Sequence, residues 1–162
     1  MPRAYSQNLR ARVLAAAREE LARLFDHLET EVTAMRDAGA PSGIETERDQ
    51  LSCVVRVARV SLALGWHYSY ANTLRYSGLR VREFDRPLYL RGSARRRREP
   101  TEEAEFAFTR TLEGRLGWAG ESDGGRVWSS PQLADHYLKR LLDRMKAQRN
   151  DVDRSDDDDD DW

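Results

Sequence analysis

Tyr68, Asn72, Arg75 and Tyr76 recur at steps of four, three and one, the spacing of one helical face, and Arg80, Arg82, Arg86, Arg91 and Arg95–Arg98 follow directly. Aromatic rings stack on unpaired bases and guanidinium groups hold phosphates bidentately, so this mixture points to single-stranded RNA or DNA. The candidate nucleic-acid contacts are Tyr68, Asn72, Arg75, Tyr76, Arg80, Arg82, Arg91, Arg95, Arg96, Arg97 and Arg98. Each phosphate neutralised releases a counterion, which makes such a site strongly salt-dependent. The competing reading leaves the tyrosines flanking a core helix and the arginines on a solvated loop, or against an acidic protein surface.

Charge partition sharpens the contrast. Residues 75–98 carry nine Arg against Glu83 and Asp85, and residues 151–162 carry eight Asp against Arg154. The formal charge of −1 over 162 residues is therefore a balance of two opposed patches. Arg outnumbers Lys 25 to 2, a skew that phosphate binding and GC-rich codons both produce. The run Asp156–Asp161 followed by Trp162 is similar in kind to the acidic tip of bacterial single-stranded-DNA-binding proteins, and that likeness implies docking of a partner protein. Such a run can also compete with nucleic acid for the basic segment, or simply keep the chain in solution.

Other chemistries lack their residues. His27, His67 and His136 have no His or Cys at metal-ligand spacing, so no metal or other cofactor is expected. Gly124-Gly125 has no preceding buried strand and no Lys-Ser/Thr after it, which excludes a phosphate loop. Cys53, the single cysteine, sits beside Val54 and Val55 and reads as core. The carboxylates form no isolated pair in an apolar setting. The chain reads as non-enzymatic. The longest largely apolar stretch, Val54–Trp66, is broken by Arg56 and Arg59, and no apolar signal core opens the chain; a cytoplasmic protein with no membrane association is expected.

Four helices are expected to position these groups. From Gln7 to Asp37, Leu14, Ala17, Leu21, Leu24, Leu28, Val32 and Met35 recur at helical steps, with Ser6 as cap and Gly39 and Pro41 as the stop. Thr46-Glu47-Arg48-Asp49 approximates a capping box for a second helix reaching Leu74. Pro100-Thr101-Glu102-Glu103 opens a third, carrying Ala104, Phe108, Leu112 and Leu116, and Ser130-Pro131 opens a fourth that ends near Asn150. Residues 79–99 form a basic arm, irregular or a short hairpin. The fold class expected is all-α: a bundle of about four helices in one domain, residues 1–150, with a disordered acidic tail at 151–162.

The opening Pro2–Ala15 looks like the start of the helix-turn-helix region of some insertion-sequence transposases, but the unbroken first helix departs from that motif. At the level of architecture, a small helical body with a basic face is similar to the small subunits that line nucleic acid in CRISPR ribonucleoprotein effectors, and to neck or packaging proteins of tailed viruses. The function expected is a non-enzymatic nucleic-acid-binding subunit of a nucleoprotein complex. The alternative is a structural assembly protein of a virus particle, binding neighbouring subunits. Other protein subunits are expected as partners, with self-association through the long first helix.

Overall fold

The computed structural model describes residues 2–67, 78–90 and 99–155, with side chains from residue 8 to residue 152. The chain begins with helix α1 (Pro2–Asp37), continues through seven strands, β1 (Glu45–Arg48), β2 (Ser52–Val57), β3 (Val60–His67), β4 (Gly78–Phe84), β5 (Glu102–Arg110), β6 (Leu116–Gly120) and β7 (Val127–Trp128), and ends with helix α2 (Ser130–Ser155). The strands form one antiparallel sheet in sequence order. The architecture is α+β, so the all-α bundle of four helices is corrected: the expected first and fourth helices are present, and the second and third are strands.

The second helix fails because its residues favour extended backbone. Ser52–Val57 is rich in β-branched side chains, which fit a pleated surface better than a helix. Val57 and Val60 pair across a two-residue turn in which Ala58 has φ 50°. Arg56 and Arg59, which suggested a helical step, lie on β2 and in that turn. The apparent capping box divides into β1 and a turn in which the Asp49 carboxylate accepts from Leu51 N and Ser52 N, both at 2.8 Å. The third helix fails for another reason. Ala104, Phe108, Leu112 and Leu116 are spaced by four, and an even step keeps a side chain on one face of a strand as well as of a helix. Phe106 and Phe108 of β5 face the core, while Leu112 is exposed at the tip of the β5–β6 hairpin.

Helix α1 follows its expected stripe, with Ala17, Leu21, Leu24, Leu28 and Val32 buried and Phe25 added. It starts at Pro2, so Ser6 lies inside the helix and is not its cap. Its end is a Schellman arrangement: Ala40 N donates to Met35 O at 3.2 Å and Gly39 N to Arg36 O at 3.0 Å, with Gly39 at φ 72°. The cap of α2 falls one residue earlier than expected. Ser129 Oγ accepts from Gln132 N at 3.3 Å and Gln132 Oε1 accepts from Ser129 N at 3.2 Å, a reciprocal capping box.

Both helices cover one face of the sheet. Val55, Leu62, Leu64, Leu79, Val81, Phe106 and Trp118 pack against Leu24, Phe25 and Leu28 of α1 and Leu133, Leu138 and Leu141 of α2. The opposite face has its own small cluster of Val54, Ala63 and Phe84, covered by Leu88 and Leu90. Trp118, wholly buried, donates its indole N–H to Ser130 Oγ at 3.0 Å. Ser130 in turn donates to Glu20, whose Oε2 lies at 2.9 Å and carbonyl oxygen at 3.1 Å. One hydroxyl thus joins α1, β6 and α2. His27 Nε2 and Asp135 Oδ1 are 2.7 Å apart, seven residues further along α1 and five along α2. Moving from Glu20 to His27 on α1 therefore moves from Ser130 to Asp135 on α2, and the two helices run parallel. Among the described residues no helix is long and apolar enough to cross a membrane.

Two stability outcomes follow from these local constraints. Ser130→Ala leaves the Trp118 N–H and the Glu20 carboxylate without their shared partner and should destabilise by about 2–3 kcal/mol. Gly39→Ala places a Cβ in the left-handed region and should cost about 1 kcal/mol. Urea denaturation read by tryptophan fluorescence measures both, and a Ser130→Ala midpoint equal to that of the wild type would refute the buried tie.

Candidate functional site

Strand alternation sets where the arginines of β4 lie. Leu79, Val81 and Glu83 face the helices, so Arg80, Arg82 and Phe84 face the other way. Arg80 is paired across to β5, with Nη2 2.7 Å and Nε 3.1 Å from Glu105 Oε1, and Nε 3.8 Å from Glu103. Arg82 is half-buried between Ala63 and Glu103 on the neighbouring strands, and its Nε is buried without a hydrogen-bond partner among the described residues. Tyr68, Asn72, Arg75, Tyr76, Arg91 and Arg95–Arg98 lie outside the described residues. Their attachment points are nevertheless placed by topology. The segment with Tyr68 and Tyr76 joins His67 to Gly78 at one end of β4, and the segment with the arginine run follows Phe84 at the other. Those ends are about 20 Å apart; Trp66, expected on the core face of the same helix, belongs to strand β3, and the face of Tyr68, Asn72, Arg75 and Tyr76 itself lies outside the described residues.

The start of the arginine-rich segment is strapped to the outer face. Ser61 Oγ donates to Arg86 O at 2.8 Å and accepts from Leu88 N at 2.9 Å. Leu90 N donates to Glu47 Oε2 at 3.2 Å. The Arg56 guanidinium lies 4.4 Å from the Tyr89 ring centroid and is itself held by Glu45 at 2.8 Å and Glu47 at 3.2 Å. Residues 86–90 therefore run across β3, β2 and β1 as a pinned strap, leaving at Leu90 towards Arg91.

On the helix side, a cleft of about 250 Å³ opens between β4–β6 and α2. Buried Glu83 is held by two bonds from Arg140, Nε–Oε1 at 3.1 Å and Nη2–Oε2 at 2.7 Å. Arg140 also pairs with Glu102, and Arg144 bridges Glu102 at 3.2 Å to Asp85 at 3.1 Å. The hydrogen bond to Glu83, opposed by burial, raises the Arg140 guanidinium pKa further. Burial pushes Glu102 up, but Arg140, Glu83 and Arg144 outweigh it and leave the carboxyl below its ordinary range. Tyr137 is pushed up to about 12 by burial and the nearby Glu83 charge. His136, stacked 4.8 Å from Trp128, is lowered by burial and by Arg140. Every carboxylate of the Glu83–Glu102–Asp85 set is engaged by a guanidinium, so these three acids are held in one ion-pair network.

Cys53 is buried, 3.6 Å from Thr46 Oγ1, and burial raises its thiol to about 11, which keeps it protonated at neutral pH. No metal-binding group of three His, Cys, Asp or Glu occurs among the described residues. The charge pattern alone did not indicate the strap or the ion-pair network. Arg140 and Arg144 stand four apart on the polar side of α2, but their partners come from two strands that had been read as arm and helix.

A second concavity, of about 680 Å³, lies between the N-terminal half of α1 and the β5–β6 hairpin. Leu9, Val13, Ala16, Phe108 and Leu116 make its apolar floor, and Arg12 and Arg110 stand on its rim. Leu9 is 57% exposed. No family model, curated protein or solved structure matches this chain.

Replacing Arg140 tests whether the ion-pair network is structural. Arg140→Met leaves Glu83 buried and charged and should cost about 2–4 kcal/mol, while the double variant with Glu83→Leu recovers most of it. Because the Glu102 carboxyl titrates below its unfolded value, its stabilisation is complete above that value and is lost as pH falls through the folded one. The Arg140→Met protein should therefore lose less stability than wild type between about pH 6 and pH 3. Denaturation midpoints across that range measure both effects.

Proposed function

We propose that this protein is a non-enzymatic nucleic-acid-binding subunit of a nucleoprotein complex, holding single-stranded RNA or DNA along the segment that contains Arg91 and Arg95–Arg98. The supporting observation is how the arginines of the body are used. Arg48, Arg56, Arg80, Arg140 and Arg144 all sit in ion pairs with carboxylates, so these arginines of the sheet and of α2 are already neutralised. The remaining density is in the segment after Leu90, where the sequence places five Arg within eight residues. The strap over Ser61 and Glu47 fixes the point on the outer face, Leu90, from which that segment departs. The segment with Tyr68, Asn72, Arg75 and Tyr76 is attached at the far end of β4, an arrangement that suits an extended strand of nucleic acid better than a single base.

Arg80 contributes little to such a site, since Glu103 and Glu105 already neutralise it. A second reading, a structural assembly protein of a virus particle such as a neck, adaptor or packaging component, is favoured by the apolar groove beside Leu9, which suits a protein partner better than a polyanion.

Binding of labelled single-stranded RNA and DNA across a salt series tests the first reading. Wild type should bind at low salt. Arg95–Arg98→Ala should lower the slope of log affinity against log salt by about 3, at about 0.7 for each lost phosphate contact. Arg80→Ala should change it little. Absence of binding at low salt, or a slope unaffected by the fourfold substitution, refutes the proposed interface.

A further inference from the structure

Helix α1 is longer than its own body requires. From Ala17 onward its apolar side chains are buried against the sheet and α2, whereas Leu9, Val13 and Ala16 continue the stripe at steps of four and three along an open groove. The opposite wall is Phe108 and Leu116 of the β5–β6 hairpin. The charged residues that line it are cationic, Arg12 and Arg110. Among the described residues neither Arg12 nor Arg110 belongs to an ion pair, in contrast to the arginines of the cleft and strap. Two such rims facing each other would repel, so a symmetric pairing of this groove with itself is disfavoured. An occupant should carry an apolar anchor next to a run of acids.

The chain contains one segment of that composition, Asp156–Asp161 followed by Trp162. We propose that the groove receives this acidic tail from a second copy of the chain. Trp162 would seat against Leu9, Val13 and Phe108, and the aspartates would lie along Arg12 and Arg110. The arginine run at 95–98 matches the tail in charge, but the segment Arg91–Glu99 offers no large apolar side chain to receive an indole.

Reach excludes the tail of the same molecule. The helices are parallel and in register at Glu20 and Ser130. From that level Leu9 lies about 17 Å in one direction and Ser155 about 38 Å in the other. The seven residues after Ser155 extend at most about 25 Å, which falls well short of the roughly 50 Å to be covered. The groove and the origin of the tail are therefore at opposite ends of one rod-like pair of helices. A contact between them joins molecules head to tail, giving a ring or an open chain according to the rotation between copies.

The test uses the full chain and does not depend on nucleic acid. Light scattering across a concentration series should show a mass that rises with concentration and falls at high salt. Arg12→Glu with Arg110→Glu, both at exposed positions, and separately Trp162→Ala, should each weaken association by about tenfold or more. Mixing these two variants supplies one intact groove and one intact tail, so they should form a one-to-one dimer and nothing larger. A wild type that stays monomeric at every concentration, or variants that associate as wild type does, would overturn the proposal. So would association abolished by Arg95–Arg98→Ala and untouched by the groove substitutions, since the tail would then occupy the arginine run. Loss of nucleic-acid binding in the earlier experiment leaves all these outcomes unchanged, so the two proposals fail separately.

Discussion

The Ser130 hydroxyl is the point at which the layers are locked together. Trp118 brings the largest fully buried side chain into the core and with it an indole N–H that cannot be left unpaired. Glu20 brings a carboxylate on a residue that is 6% exposed, with Arg23 at 2.5 Å as a second partner. Neither group is tolerable alone in an apolar interior. A hydroxyl that accepts from one and donates to the other satisfies both, and it can do so only when β6, α1 and α2 meet in one register. The hydrophobic surface would allow the helices to slide along the sheet; this polar knot does not. With the His27–Asp135 contact it sets the helices parallel, and hence gives the molecule two unlike ends.

Coverage of both sheet faces explains the arrangement of charge. The helices take one face, and the strap residues Leu88 and Leu90 cover Val54, Ala63 and Phe84 on the other. Arginines and glutamates that emerge opposite one another on neighbouring strands pair across the ladder, at the partly exposed outer face as well as under the helices. Arg80 finds Glu105, Arg56 finds Glu45, and Glu83, which points inward at 3% exposure, requires Arg140. Such pairs add modestly to stability but specify register strongly, because a one-residue slip would bring like charges together or bury one unpaired.

The same enclosure decided what could be read from the sequence. Helix α1 and helix α2 were legible, because each has one apolar stripe and a solvated back. The sheet was not. Strands β2 and β3 are buried on both faces, so Val54, Val55, Val57, Val60, Leu62 and Leu64 form a nearly continuous apolar run with the alternation erased. On β5 the alternation survives, but taking every fourth residue makes it coincide with a helical period. The nucleic-acid candidates Arg80 and Arg82 belong, by sequence, to a basic arm at 79–99, irregular or a short hairpin, and lie instead on central strand β4. Their partners Glu103 and Glu105 were assigned to a helix start, so the neutralisation of Arg80 could not be seen. The arginine run and the acidic tail are compositional features and stand independently of the secondary structure around them.

Parallel helices also separate the charges along the molecule. Arg144 reaches Asp85, so the later turns of α2 lie at the end of β4 from which the arginine-rich segment departs, and the acidic tail continues from that same end. The opposite end carries the cationic groove of Arg12 and Arg110. Opposed charges at the near end favour contact within one molecule, whereas complementary charge at the far end favours contact between molecules. Coulomb attraction alone does not choose between these, because screening makes both weak beyond about 10 Å. Apolar area does choose: guanidinium groups offer an indole a cation–π contact, whereas a groove floored by Leu9, Val13 and Phe108 also buries its apolar area. A tryptophan at the end of an acidic run is thus a better guide to the tail's destination than the charge of the run itself.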